Sequence, residues 1–343
     1  MFYNLFNRLT NKNKLKTMLL KSEKQELSIG IKTFEDINRM IKENRFAELI
    51  KKCEENFSKN LNKLADIIAD NSKKIRLICI AGPSSSGKTT TSFRLQQELL
   101  KHGIRSIPVA MDDYFKNREE TPKNENGDYD FEDLEALDLN LLNDHLSKLI
   151  YGEEVQLPSY NFKTGKKEFI NPPLKITQED ILIIEGIHGM NHRVTQMIPR
   201  KKKFFIYATA MPRIRNHKGH FFHSTDFRFI RRIVRDSLFR GYGAKETIER
   251  WPSVIKGEQK NIFPYQNNAD FMINTALSYE YPVLKRYAFD LLVEINKSVN
   301  VFMEARKLLS VLNYFSFARE EDISQIPKDS ISREFIGGSC FSY

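Results

Sequence analysis

The run Ile75–Gly103, IRLICIAGPSSSGKTTTSFRLQQELLKHG, decides the fold. Ile75 to Ala81 is an apolar stretch that reads as a buried strand. It ends in Gly82-Pro83-Ser84-Ser85-Ser86-Gly87-Lys88-Thr89, which fits G-x-x-x-x-G-K-[ST], and a helical pattern follows at once. Gly82 and Gly87 let the backbone curl so that successive N–H groups point inward, and the unpaired N–H groups opening the helix add positive potential. Lys88 is then placed for the β- and γ-phosphates and the Thr89 hydroxyl for Mg²⁺, with Thr90 completing the loop that holds a nucleoside triphosphate. A serine-rich turn could match by accident, but the strand before it and the helix after it argue against that.

Outward from this loop, Gly103 supplies a helix stop, and Ile104 to Met111 forms a β-rich run ending at Asp112-Asp113-Tyr114-Phe115. Strand, helix and strand in succession predict a right-handed parallel unit, which puts the carboxyl ends of both strands on one side. Asp112 is therefore expected to open onto the phosphate loop, where a carboxylate can accept the proton of an attacking hydroxyl. The competing reading is an acidic pair that caps a helix or starts a turn. Ile181 to Ile184 is a second continuous apolar run, closed by Glu185-Gly186. An ionised acid there is costly to bury without a cationic partner, so Glu185 is expected to hold the Mg²⁺ shell with Thr89 or to position water. A further strand, Phe204 to Ala208, follows the basic run Arg200 to Lys203, read as a solvated turn.

Asp226 to Arg240 carries Arg228, Arg231, Arg232 and Arg235 within one helical face, with Ile230, Ile233, Val234 and Leu238 on the other. One side is expected to be core and the other a guanidinium stripe. Arg240-Gly241-Tyr242-Gly243 then breaks the helix. Arginines on such a flap can close over transferring phosphates, although a solvated basic face has the same spacing.

The segments between these elements are less explicit. Asn117 to Asp130 is turn-rich, with Asn126-Gly127-Asp128 a tight turn, and Leu139 to Ile150 is helical. Gln156 to Ile170 reads as a hairpin around Lys163-Thr164-Gly165-Lys166, with Pro158 marking an edge. Ala269 to Asn274 is a last strand, followed by helices Glu280 to Lys297 and Val301 to Leu312. Upstream, Thr33 to Arg45, Phe46 to Asn60 and Leu61 to Ser72 have helical spacing, after a basic terminus expected to fray. The sum is an α/β fold with a mostly parallel sheet flanked by helices and a small hairpin and lid insert. Residues 1–74 form a helical extension, 75–298 the central domain, and 299–343 a C-terminal helix and a tail without readable chemistry.

A net charge of +10, from 54 basic and 44 acidic residues, suits a protein that handles polyanions. Phosphate substrates account for it as well as nucleic acid, and no interleaved aromatic and basic repeat favours the latter. Cys53, Cys79 and Cys340 lie far apart without C-x-x-C spacing, which implies a reducing, cytoplasmic setting and no zinc site. No apolar run approaches the ~20 residues of a membrane span.

Taken in order, GPSSSGKTT, MDDYF, YDFEDLEALD, LPSYNFKTGKKE, ILIIEGIHG and RRIVRDSLFRGY resemble the phosphoribulokinase/uridine kinase family, in its longer bacterial branch. The likeness covers about Ile75 to Asn274, and the tail Ser332-Arg333-Glu334-Phe335-Ile336-Gly337-Gly338 is similar to that branch. The resemblance implies a P-loop kinase that uses ATP and Mg²⁺ to phosphorylate the 5′-hydroxyl of a nucleoside, uridine or cytidine first. It casts Asp112 as the base, Glu185 as the magnesium-site acid, and Glu132 as the acid for the ribose hydroxyls. Phe131 and Tyr160 fall on nucleobase-contacting positions, Tyr114 joins the substrate set, and Arg232, Arg235 and Arg240 match lid arginines. Two positions depart: Gly165 stands where uridine kinases place a pyrimidine-reading histidine, and Tyr242 replaces a lid arginine. Another small alcohol, such as a different nucleoside, pantothenate or a sugar phosphate, remains open as acceptor, as does an RNA-associated regulatory NTPase. No N-K-x-D guanine signature occurs, and a homo-oligomer is compatible with the extension.

Overall fold

The computed structural model describes residues 2–125, 127–297 and 300–342, and of residues 2–13 the backbone alone. Three helices open the chain: α1 Phe2–Ser28, α2 Phe34–Lys42 and α3 Phe46–Ala69. The basic terminus expected to fray is thus helical, and Lys14 Nζ ties it to the Ala269 carbonyl at 2.9 Å. The two helices expected between Phe46 and Ser72 are one, because Leu61, Leu64, Ala65 and Ile68 prolong the buried stripe begun by Phe46, Leu49 and Ile50 with no breaker between them.

The central sheet is five-stranded and all parallel. It comprises β1 Leu77–Ala81, β2 Ser106–Ala110, β7 Ile181–Glu185, β8 Lys203–Thr209 and β9 Phe271–Asn274, ordered β2-β7-β1-β8-β9. Helix α4, Lys88–Lys101, crosses from β1 towards β2, and α5 spans Leu139–Ile150. Two small antiparallel ribbons lie between α5 and β7: β3 Val155–Gln156 with β6 Pro173–Leu174, and β4 Ser159–Asn161 with β5 Lys166–Glu168. The second ribbon is the expected hairpin. Asn126, at the tip of the expected tight turn, lies outside the described residues.

Alternation along the strands supplies two cores. Ile78, Ile80, Ile183 and Ile206 face a cluster shared with α3, α4 and the helices after β8, whereas Leu77, Cys79, Ile184 and Tyr207 face one shared with α5. A parallel sheet covered on both faces requires near-continuous apolar strands, and each such side chain contributes roughly 1.5–3 kcal/mol on burial. After β8 come α6 Ser224–Arg235, a π-helical turn Asp236–Arg240, α7 Ala244–Asn261, α8 Glu280–Val293, α9 Phe302–Leu312, α10 Glu320–Ser324 and α11 Arg333–Ile336.

Two expectations are corrected here. Lys203 is no part of a solvated turn: it begins β8, buried, with Nζ donating to Thr195 O (2.6 Å) and Oγ1 (3.0 Å). Leu238 is 46% exposed rather than core, because the π turn after Arg235 shifts the angular register that would have carried it inward.

Register fixes the site. Glu185 stands level with Ile80 on one side and Ala110 on the other, so the phosphate loop, Glu185 and Asp112 leave the sheet at the same rim. In open parallel sheets that rim is where ligands bind.

Candidate active site

Gly82 is confined to glycine by contact. An ideal Cβ there would lie 2.0 Å from the Ala208 carbonyl oxygen and 2.8 Å from Ser86 Oγ. Ser85 at φ 57 and Gly87 at φ 75 are left-handed, which curls the loop backbone before α4 begins. Lys88 Nζ rests on the Pro83 carbonyl at 3.3 Å, and Thr89 Oγ1 donates to Glu185 Oε1 at 2.9 Å.

The arginine helix does two jobs where one was expected. Arg228 and Arg231 are no part of an exposed stripe. They are buried, paired with Glu258 and Glu280, and their guanidiniums donate to the carbonyls of Ser84 (3.0 Å) and Ser85 (3.2 Å). Glu258 also accepts from the Ser84 N–H at 3.0 Å. These two pairs therefore form a rigid backing for the loop, because donors and acceptors in a dry interior must be matched. Arg232 and Arg235, by contrast, share Asp236 with Arg240 and face the cleft, and Arg232 Nη1 also donates to Ser84 Oγ at 2.9 Å.

Opposite them, Asp112 opens to the cleft. Enclosure by the walls raises its carboxyl above the ordinary aspartate range, while Lys88, Arg240 and Arg235 pull it back down. Glu185 is pushed up to about 7, first by burial and then by Asp112 and Glu334, against Lys88 and the Thr89 hydroxyl. Glu132 also reaches about 7 by burial, with Arg232 and Lys88 lowering it and Glu258 and Asp112 raising it. Enclosure, then Arg235, lowers Arg240 to about 10, which leaves it charged at neutral pH. Asp112, Glu132 and Glu185, from three separate chain segments, thus share one cleft with Lys88 and the cleft-facing arginines. For Mg²⁺ the residues fit: a hydroxyl and a carboxylate, both hard oxygen donors, touch at the loop. No cluster of three or more acidic, His or Cys ligands that could hold a metal ion occurs among the described residues.

An aromatic cluster lies beside the hairpin. Phe115 meets Phe131, Tyr160 and Phe162 edge-on at 5.4, 5.6 and 6.4 Å between centroids, and Asp113 holds the hairpin by accepting from the Tyr160 N–H at 3.0 Å. Tyr114 is not brought to the cleft: it is buried against α5, its hydroxyl 3.1 Å from His145 Nδ1. At Gly165, φ 71, an ideal Cβ would lie 2.7 Å from Arg118 Cβ and Nε, so Arg118 fills the space a side chain would need. Tyr242 turns outward beneath Arg250, 4.0 Å from its ring. Sequence reasoning missed Glu258, Asp236, Arg118 and Glu334. Asp236 and Glu334 lie inside quoted stretches that assign them no role, Glu258 and Arg118 lie in none, and only contact between distant segments reveals Glu258, Arg118 and Glu334.

The phosphoribulokinase/uridine kinase family model matches residues 77–279, well over half of the chain. "Uridine kinase-like protein 3" of Arabidopsis thaliana is 29% identical over 199 residues, 57% of this chain but only 38% of that protein. The uridine kinase of Staphylococcus aureus is 27% identical over 202 residues, 59% of this chain and 88% of its own. A solved structure described as a possible uridine kinase from Bacillus stearothermophilus shares 19% identity, covers 59% of this chain and 89% of its own, and has a TM-score of 0.38. With the loop, the rim acids and the arginine helix in family order, the chain belongs to the phosphoribulokinase/uridine kinase family and is a kinase.

Proposed function

We propose that this kinase transfers the γ-phosphoryl group of ATP, with Mg²⁺, to the 5′-hydroxyl of a nucleoside, with uridine and cytidine the first candidates. The observation that carries the reading is the meeting of Lys88, Asp112, Glu132 and the three arginines at one rim of the sheet. The loop from Gly82 to Thr90, together with Lys88, holds the phosphates. Thr89 and Glu185 would hold Mg²⁺, which when bound neutralises charge on the β- and γ-oxygens. Asp112 accepts the hydroxyl proton as the phosphoryl group departs, and Arg235 and Arg240 stabilise the charge that spreads over the transferring oxygens. Glu132 accepts from the ribose hydroxyls, Arg232 orients the acceptor, and Phe131 with Tyr160 lines the base.

Arg118 over Gly165 favours a second reading in which the acceptor is another small alcohol, because the position of the family histidine is closed. No described helix is long and apolar enough to cross a membrane, and Cys53, Cys79 and Cys340 are free thiols; these facts support a cytoplasmic enzyme.

Purified protein assayed for ADP release against a panel of nucleosides and other alcohols separates the two readings. Asp112→Asn is expected to lower kcat by about 10²–10⁴-fold with the fold and nucleotide binding intact. Turnover within a few-fold of wild type would show that another group takes the proton.

A further inference from the structure

The last segment of the chain lies on the phosphate loop. Ile331 and Phe335 are buried, and the Ile331 side chain occupies the space beside Gly87, 2.7 Å from where a Cβ would stand. Phe341 stacks on Phe93 of α4 with centroids 5.1 Å apart, and Phe335 lies 4.7 Å beneath the Arg231 guanidinium. Ser330 Oγ meets the Tyr279 hydroxyl at 2.9 Å. These contacts place Glu334 at the first turn of α4, where its carboxylate accepts from Thr90 Oγ1 at 2.7 Å and from Thr90 N–H at 3.3 Å.

The opening N–H groups of α4 have no partner within their own helix, and in a phosphate loop they are the donors offered to the ligand. At Thr90 that donor and the adjoining hydroxyl are met by a carboxylate of the same chain. Glu334 thus brings a negative charge into the cradle meant for a polyanion, within electrostatic reach of Glu185.

We propose that Glu334 is a residue of the donor site, a tethered anion that holds a phosphate-oxygen position at Thr90 and must be expelled before the phosphates of a nucleoside triphosphate seat fully. The tail thereby sets donor affinity. This rests on the donor reading given above, and it is independent of which alcohol is the acceptor. Gln at the same position keeps the shape and loses the charge that opposes phosphate.

The test is the Kd of MgADP by titration calorimetry for the full chain, Glu334→Gln and Glu334→Ala, with Lys88→Met as the control that abolishes binding. Both Glu334 variants are expected to bind about tenfold more tightly, the equivalent of 1.4 kcal/mol. An unchanged or weaker Kd in both would overturn the proposal, the weaker value making Glu334 an ordinary support of the loop. A second measurement needs no variant: in wild-type protein MgADP is expected to speed hydrogen exchange across residues 330–341, and equal protection with and without nucleotide counts against it. Tighter binding without phosphorylation of any nucleoside would leave this inference standing and remove the nucleoside assignment. No nucleotide binding in any form would remove both.

Discussion

The clamp behind the phosphate loop gives the sharpest quantitative expectation. Arg228 and Glu258 are 2% and 0% exposed, joined with Nη2 2.9 Å from Oε2, and together they hold Ser84 through both its N–H and its carbonyl. Glu258→Ala leaves a guanidinium buried without its counter-charge, which costs about 3–5 kcal/mol. At roughly 2 °C per kcal/mol for a chain of this size, Tm falls by about 6–10 °C. The double variant Arg228→Met with Glu258→Leu replaces the pair by apolar groups of similar volume and is expected to regain most of that stability. It cannot regain the two bonds to Ser84. Nucleotide affinity is therefore expected to stay low in the double variant while stability recovers. Urea denaturation and nucleotide titration read the two quantities separately. A loss below about 1 kcal/mol for Glu258→Ala, or nucleotide affinity returning together with stability in the double variant, would refute the claim that the pair shapes the loop.

Three further expectations follow from particular contacts. Glu132, raised to about 7 from an ordinary 4.5, contributes stability that is complete below pH 4.5 and lost as pH rises through 7. Glu132→Gln is accordingly expected to be near neutral at pH 4.5 and stabilising by about 3 kcal/mol at pH 8, by denaturation at both values, with a higher KM for the acceptor; equal effects at the two pH values would count against burial as the cause. Arg118→Ala, which uncovers Gly165, is expected to change the ratio of kcat/KM between competing acceptors by about tenfold or more while the nucleotide Kd stays constant, and a constant ratio would remove Arg118 from the acceptor pocket. Gly82→Ala, whose Cβ would meet the Ala208 carbonyl at 2.0 Å, is expected to abolish nucleotide binding; a near-normal Kd would show that the loop and β8 can separate cheaply.

What the sequence by itself determined was the order of strands, loop and helices, and with it the rim. Leu77–Ala81 and Ile181–Ile184 are apolar at every position because both sheet faces are buried, and parallel crossovers then bring Asp112 and Glu185 to the carboxyl ends beside Gly82. Those are local patterns joined by a topological rule, so they can be read in one dimension. Tertiary structure alone decided which polar residues face inward. Arg228 and Arg232 share one helical face, yet the first is buried on Glu258 and the second faces the cleft, because the partner that settles the matter lies on α7. Tyr114 turned away from the site to His145, and Arg118 claimed the space above Gly165, for the same reason. Glu334 is the extreme case, 244 residues from the Thr90 it touches. A charge in a dry interior is stabilised only by the group directly against it, and proximity of that kind leaves no periodic trace in the chain.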